Sequence, residues 1–228
     1  MQDFPDDGVA VVVGAGGGLG GGFVAALRAC GRFREVVAAR RPAVDVTQED
    51  SIRALAAALP APPRLVVDAT GLLHDAGLRP EKSWRELDAA QLARSFAVNA
   101  IGPALLMKHL LPLLPRQGRA VFATLSARVG SIGDNRLGGW YGYRASKAAL
   151  NQLVSTAAVE LRRTHPQAIC VALHPGTVAT PLSSPFAKQG LDVQQPEAAV
   201  AAMLRVIGAL RPEQSGGFFD QRGEAVPW

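Results

Sequence analysis

The 228-residue sequence holds only two cysteines, Cys30 and Cys170. One falls in a helical pattern and the other in an apolar strand-like run, which suits reduced core thiols and excludes a disulfide framework. The four histidines, His74, His109, His165 and His174, show neither an H-E-x-x-H pair nor a paired Cys/His spacing, so no metal is expected. A G-x-S-x-G elbow is also missing, which removes the main hydrolase reading. No apolar run reaches the roughly 20 residues that span a bilayer, and the N-terminus lacks the basic start and apolar stretch of a secretory signal. A soluble, cytoplasmic protein with no membrane partner is the expectation.

Charge is sparse, at 19% of residues, and its +5 excess is not gathered into blocks. Scattered arginines without aromatic-basic interleaving make a solvated surface, so no nucleic acid is expected as a partner. With 48% hydrophobic residues the chain has ample material for a core, and no linker, repeat or low-complexity segment divides it. Residues 1–228 are read as one domain.

Short apolar runs alternate with helical patterns along the whole chain. Strands are expected at 9–13, 36–39, 65–67, 120–125, 169–173 and 217–220. Helices are expected at 23–29, from a Thr47/Asp50 capping box to about Leu59, from Asp88 through Asn99 to Leu114 with a kink or a division at Pro103, at 143–163, and at 196–210. Such alternation implies right-handed crossovers and an α/β, doubly wound Rossmann-type domain, its parallel sheet flanked by helices on both faces.

Between the first strand and first helix lies GAGGGLG, residues 14–20, with glycines at Gly14, Gly18 and Gly20 beside Leu19. There the backbone turns tightly and approaches a pyrophosphate held at the helix N-terminus. About 20 residues on, where an acidic side chain would bind the ribose hydroxyls of NAD, stand Arg40 and Arg41. Guanidinium groups match a 2′-phosphate, so NADP(H) is the expected cofactor.

Tyr143 and Lys147 are four residues apart, hence on one helix face. An adjacent cation favours the phenolate, so a lowered phenol pKa is expected, and the phenol can pass a proton to a carbonyl oxygen or take one from an alcohol. Tyr141 has only Ala145 at that spacing.

Gly14-x-x-x-Gly18-x-Gly20, Asn99 followed by Gly102, Tyr143-x-x-x-Lys147 and Pro175-Gly176 stand in the order and spacing of the short-chain dehydrogenases/reductases. The chain resembles that family over essentially its whole length. Residues 125–135 and 138–147 are most similar to the C-factor or sniffer-type carbonyl reductase branch, some members of which are described as signalling proteins. The resemblance implies that Gly14, Gly18, Leu19 and Gly20 line the pyrophosphate and that Asp45 and Val46 lie by the adenine. It also implies that Asn99 places Lys147 through a water, that Lys147 holds the nicotinamide ribose, and that Val178 meets the nicotinamide with Thr180 near its carboxamide. Ala69, Thr70 and Gly71 follow Asp68 where the family has Asn-Asn-Ala-Gly. Residues 41–45 are short for the family, which implies a trimmed sheet edge beyond the second strand.

One family position departs from the pattern. Counting back from Gly130 places Ala127 where the family has its catalytic serine, leaving Ser126 and Ser131 as the neighbouring hydroxyls. Ser126 would face away from residue 127 on an extended strand, so neither is a clean replacement. The expected activity is interconversion of a carbonyl and an alcohol by hydride transfer from NADP(H), with Tyr143, Lys147, Asn99 and Ser126 as the catalytic set and a homodimer or homotetramer as the assembly. The alternative is a catalytically weak NADP(H)-binding signalling protein. The segment 182–190 reads as a short, partly apolar lid over a small-molecule substrate.

Overall fold

In the computed structural model, which describes Phe4, residues 8–186 and residues 193–228, the first strand β1 (Val9–Val13) is buried along its whole length. Its alternate side chains enter two different cores: Ala10 and Val12 pack with Phe23, Leu27, Met203 and Ile207, whereas Val9, Val11 and Val13 pack with Ile52, Leu106, Leu110 and Leu150. That is the period-two pattern of a strand covered on both faces.

After β1 come α1 (Gly18–Ala29), β2 (Glu35–Ala39), α2 (Glu49–Ala57), β3 (Pro63–Asp68), α3 (Ala89–Phe96), α4 (Gly102–Leu110) and β4 (Ala120–Leu125). The chain continues through α5 (Tyr141–Thr164), β5 (Ala168–His174), β6 (Thr177–Val178), β7 (Val193–Gln194), α6 (Pro196–Ala209) and β8 (Phe218–Asp220). Six strands form one parallel sheet in the order β2-β1-β3-β4-β5-β8. Helices α1 and α6 cover one face, and α2, α4 and α5 the other. β2 is one edge of the sheet among the described residues, with no strand beyond it, as the short 41–45 interval implied, and β8 is the other.

The strand order reverses between β1 and β3, since the chain leaves β1 for one side and returns on the other. A crevice opens at the carboxyl ends of strands at such a point. The glycine-rich loop and residues 69–71 both lie there, which places the candidate site.

Several local expectations are corrected. Thr47 does not cap α2: Asp45 Oδ1 accepts from both the amide and hydroxyl of Thr47, forming a turn ahead of the helix, and α2 starts from Gln48 without a side-chain cap. Cys30 is exposed at the end of α1, while Cys170 is buried as expected. Asp88 does cap α3, its carboxylate accepting from the Gln91 amide at 2.9 Å. The break between α3 and α4 is a π-helical turn at Ala97–Ile101 rather than a proline kink; Pro103 sits in the first turn of α4, where its missing N–H is tolerated. The helical run Ala89–Leu113 is by length and composition apolar enough to cross a membrane, with mean hydropathy 1.3. Buried Asn99, Leu106, Met107 and Leu110 give it the character of a core helix.

Candidate active site

The glycine loop is shaped by close backbone contacts. Gly14 has φ +80°, and a Cβ there would lie 2.9 Å from the carbonyl of Ala69, so the loops after β1 and β3 touch only because no side chain intervenes. A Cβ on Gly20 would collide with the carbonyl of Gly14. Helix α1 opens on Gly17 with no side-chain cap and no acid in its first turn, which leaves its first N–H groups facing the loop. This is the cradle a pyrophosphate needs.

Other expected cofactor residues converge on the loop. The stem of Arg40 lies 3.8 Å from where a Gly16 Cβ would stand, and Thr180 Cγ2 lies 3.1 Å from the corresponding point at Gly18. Arg40 and Arg41 are exposed, and Leu19 packs against the α1/α6 core. Asp45 is held below the usual carboxylate range by its hydrogen bonds from Thr47, with a smaller contribution from the charge of Arg41. Val46 is buried against Gly102, so its side chain belongs to the core. Gly176, at φ +79°, turns the chain after Pro175 into β6, where Val178 is buried.

Helix α5 presents Tyr143 and Lys147 one turn apart. Lys147 is only 2% exposed, and its ammonium donates to the Leu125 carbonyl at 2.8 Å. The turn Arg128–Gly130 presses on its stem, because a Cβ on Gly130 would come within 2.8 Å of Lys147 Cβ. The family-like glycine three residues after position 127 is thus a packing requirement of Lys147. A Cβ on Gly71 would lie 3.9 Å from Lys147 Nζ and 3.8 Å from Asn99 Oδ1, which brings Gly71, Asn99 and Lys147 together. Asn99, in the π-helical turn, accepts from the Leu72 amide at 2.7 Å and donates to the Leu72 carbonyl at 2.8 Å and to Ser146 Oγ at 3.1 Å. It fixes the loop after β3 to helix α5.

The expected lowering of the tyrosine pKa is not met. Burial pushes the Tyr143 phenol up to about 12, and burial also lowers Lys147 to about 8, opposed by the negative charge of Asp68. The physical reason is that desolvation outweighs the neighbouring cation, whose Nζ is turned to the Leu125 carbonyl. Tyr143 therefore stands as a protonated acid at neutral pH.

Ser126 is corrected too. Its hydroxyl, 3% exposed, donates to Asn151 Oδ1 at 2.6 Å beneath α5 and is committed to the interior. Ser131 is also buried, its oxygen accepting from the Asp134 amide at 3.1 Å. Ala127 is extended, with φ −147°, and carries no donor.

An aromatic wall stands beside Tyr143. Trp140 meets the Tyr143 ring edge-on at 6.2 Å and the Phe186 ring at 5.1 Å, and His74 packs on Phe186 at 5.3 Å. The rest of the expected lid, residues 187–190, lies outside the described residues.

Sequence reasoning missed one residue at the site, Glu81, and met Asp68 only as a departure from the family's Asn-Asn-Ala-Gly. Glu81, 5% exposed, accepts from the Gly142 amide at 3.1 Å while its own carbonyl accepts from Trp140, so it anchors the first turn of α5. It lies 61 residues away, and nothing local signals the contact. Asp68 is fully buried at the end of β3. A charge closing an apolar strand was the available signal, because a buried carboxylate demands partners.

The family model described as enoyl-(acyl carrier protein) reductase matches residues 21–213. The chain is 42% identical over 144 residues to the C-signal protein of Myxococcus xanthus, covering 63% of this chain and 82% of that one. It is 35% identical over 187 residues to 1-hydroxy-2-glutathionyl-2-methyl-3-butene dehydrogenase of a Rhodococcus strain, covering 82% and 79%. A short-chain dehydrogenase/reductase from Burkholderia multivorans, solved with bound NADP, superimposes with a TM-score of 0.80 at 26% identity, over 97% of this chain and 100% of that one.

Proposed function

The chain belongs to the short-chain dehydrogenase/reductase family of oxidoreductases, and from that premise we propose that it reduces a small-molecule carbonyl with NADPH, Tyr143 acting as the acid. The observation that carries the reading is Lys147 beside Gly71, on the loop that touches the glycine cradle at Gly14, with Tyr143 one turn earlier on α5. The nicotinamide supplies the hydride when bound. Arg40 and Arg41 hold the 2′-phosphate, a role supported by the Arg40 stem over the loop and by the NADP in the Burkholderia structure.

Lys147 holds the nicotinamide ribose and presents its charge one turn from Tyr143. Asn99 positions both by tying α5 to Leu72. The substrate oxygen approaches Tyr143 along the wall of Trp140 and Phe186, which excludes water from that side. A phenol near 12 is well suited to give a proton to a developing alkoxide and poorly suited to take one from an alcohol at neutral pH, so reduction is the favoured direction. Ala127 withholds the second donor, and by analogy with a lost oxyanion-hole donor the rate is reduced by about 10² to 10³.

A second reading is favoured by one observation, the pairing of Ala127 with the 42% identity to the C-signal protein. In that reading the chain binds NADP(H) and acts through partners. Loss of NADPH absorbance with a panel of ketones, aldehydes and quinones separates the two. Turnover of at least one carbonyl establishes the reductase, and none, with NADPH still bound, establishes the binding protein.

A further inference from the structure

Two buried groups of opposite charge are held by neighbouring residues of β4 at the floor of the site. Asp68 is 0% exposed; its Oδ1 accepts from the Thr70 amide at 3.0 Å and the Thr70 hydroxyl at 2.6 Å, and its Oδ2 from the Thr124 hydroxyl at 2.6 Å. All three donors are neutral. Thr124 lies opposite Asp68 in the β3–β4 register, and the next residue along β4, Leu125, offers the carbonyl that receives the Lys147 ammonium. That carbonyl is neutral as well.

A carboxylate and an ammonium held only by neutral dipoles in a dry interior each carry a large desolvation cost. Side by side at the ends of adjacent strands, they offset one another. The asparagine that the family pattern has at position 68 offers an amide without charge, so this chain carries a charge at a buried sheet position near its lysine.

We propose that Asp68 is a positioning residue: a buried countercharge that keeps Lys147 in its ammonium form inside the cleft. The task of that ammonium rests on the reductase reading above; its existence does not. Asp68 lies beneath the loop of residues 69–71 and acts only through Lys147. The direction of the lysine pKa agrees, since burial lowers it and Asp68 is the one charge that raises it. Among the described residues, the other titratable or charged groups around Lys147 are Tyr143 on the same helix and, on the turn that backs onto its stem, Arg128, whose guanidinium is paired with Asp134 and Asp220. Asn99, on the π-helical turn, is neutral. Among the described residues, the aspartate provides the opposing charge.

The test is a 13Cε-lysine NMR titration of the full chain without cofactor. The sequence holds four lysines, at 82, 108, 147 and 188, so Lys147 is assigned once the other three are identified by their own Lys→Arg variants. In the unaltered protein Lys147 titrates above pH 7, and Asp68→Asn lowers its midpoint by about one pH unit, a tenfold change in ionisation. Thr124→Val removes a hydrogen bond from the same carboxylate but not its charge, and leaves the midpoint in place. An unchanged midpoint in Asp68→Asn, or an equal shift in Thr124→Val, overturns the countercharge in favour of a purely structural aspartate. If Asp68→Asn does not fold by circular dichroism, a Lys147 midpoint below pH 7 in the unaltered protein overturns the proposal. No turnover enters the measurement, so a protein that reduces no carbonyl can still show the pairing, and an active one can still lack it.

Discussion

Ser126 Oγ donates to Asn151 Oδ1 at 2.6 Å, which places the serine's hydroxyl under helix α5, while the next residue, Ala127, brings no hydroxyl of its own. Ala127→Ser is therefore expected to raise carbonyl reduction by about tenfold or more at unchanged NADPH affinity, recovering part of a lost donor. Ser126→Ala is expected to lower stability by about 1–3 kcal/mol, because it strands a buried amide oxygen, while leaving kcat near that of the unaltered protein. Steady-state kinetics and urea melts separate the two. Loss of activity in Ser126→Ala, with nothing gained in Ala127→Ser, would show that Ser126 turns to the substrate.

Arg40 lies over the glycine loop, and its guanidinium is matched to a 2′-phosphate. NADPH is expected to bind at least tenfold more tightly than NADH, about 1.4 kcal/mol, with the difference erased in the Arg40→Ala, Arg41→Ala double variant. Quenching of tryptophan fluorescence by each cofactor reads it. Equal affinities in the unaltered protein would leave the loop as a dinucleotide site without phosphate selectivity.

His174 ends β5 with a buried Nδ1 that lacks a hydrogen-bond partner, and burial with the nearby Arg128 lowers its pKa to about 4. The unfolded chain takes up this proton near pH 6.5, whereas the folded chain takes it up near 4. More protons bound in the unfolded state mean stability that is full above about pH 6.5 and is lost as pH falls toward 4. The fall in Tm between pH 7 and pH 5 should be smaller in His174→Gln. An identical fall in both proteins would contradict the assignment.

Val159 stands 57% exposed on the outer face of α5, beside Gln152, Thr156 and Arg163. In an assembly with α5 packed across a two-fold axis, Val159→Arg places like charges opposite each other. Light scattering at micromolar concentration is expected to show a dimer or tetramer that this variant shifts toward monomer. A monomeric unaltered protein would contradict it.

Much of the scaffold was legible because its signals are local. β4 occupies the expected residues 120–125, bounded by Gly118 before it and the turn after Ala127, and β1 occupies the expected 9–13. Gly71, Asn99 and Lys147 also lie together, with Tyr143 one turn earlier on α5, since strand-loop-helix order and a four-residue helical step fix their placement. What escaped depends on distant partners. Glu81 reaches Gly142 across 61 residues, the π-helical turn around Asn99 answers to Leu72 and Ser146, and Asp45 rather than Thr47 shapes the entry to α2. The tyrosine pKa failed for a related reason: pair spacing is visible in a helix, but the burial that raises the phenol belongs to the assembled cleft.

The most direct measurement of the central claim is the pH profile of NADPH-dependent carbonyl reduction in the unaltered protein and in Tyr143→Phe, with cofactor binding measured in parallel. A phenol held near 12 remains a proton donor across the accessible range, so no loss of kcat from tyrosine ionisation is expected between pH 6 and pH 9. Tyr143→Phe is expected to lower kcat by at least about 10²-fold while NADPH binds as before. A Tyr143→Phe protein that reduces the same carbonyl at an undiminished rate would contradict the account.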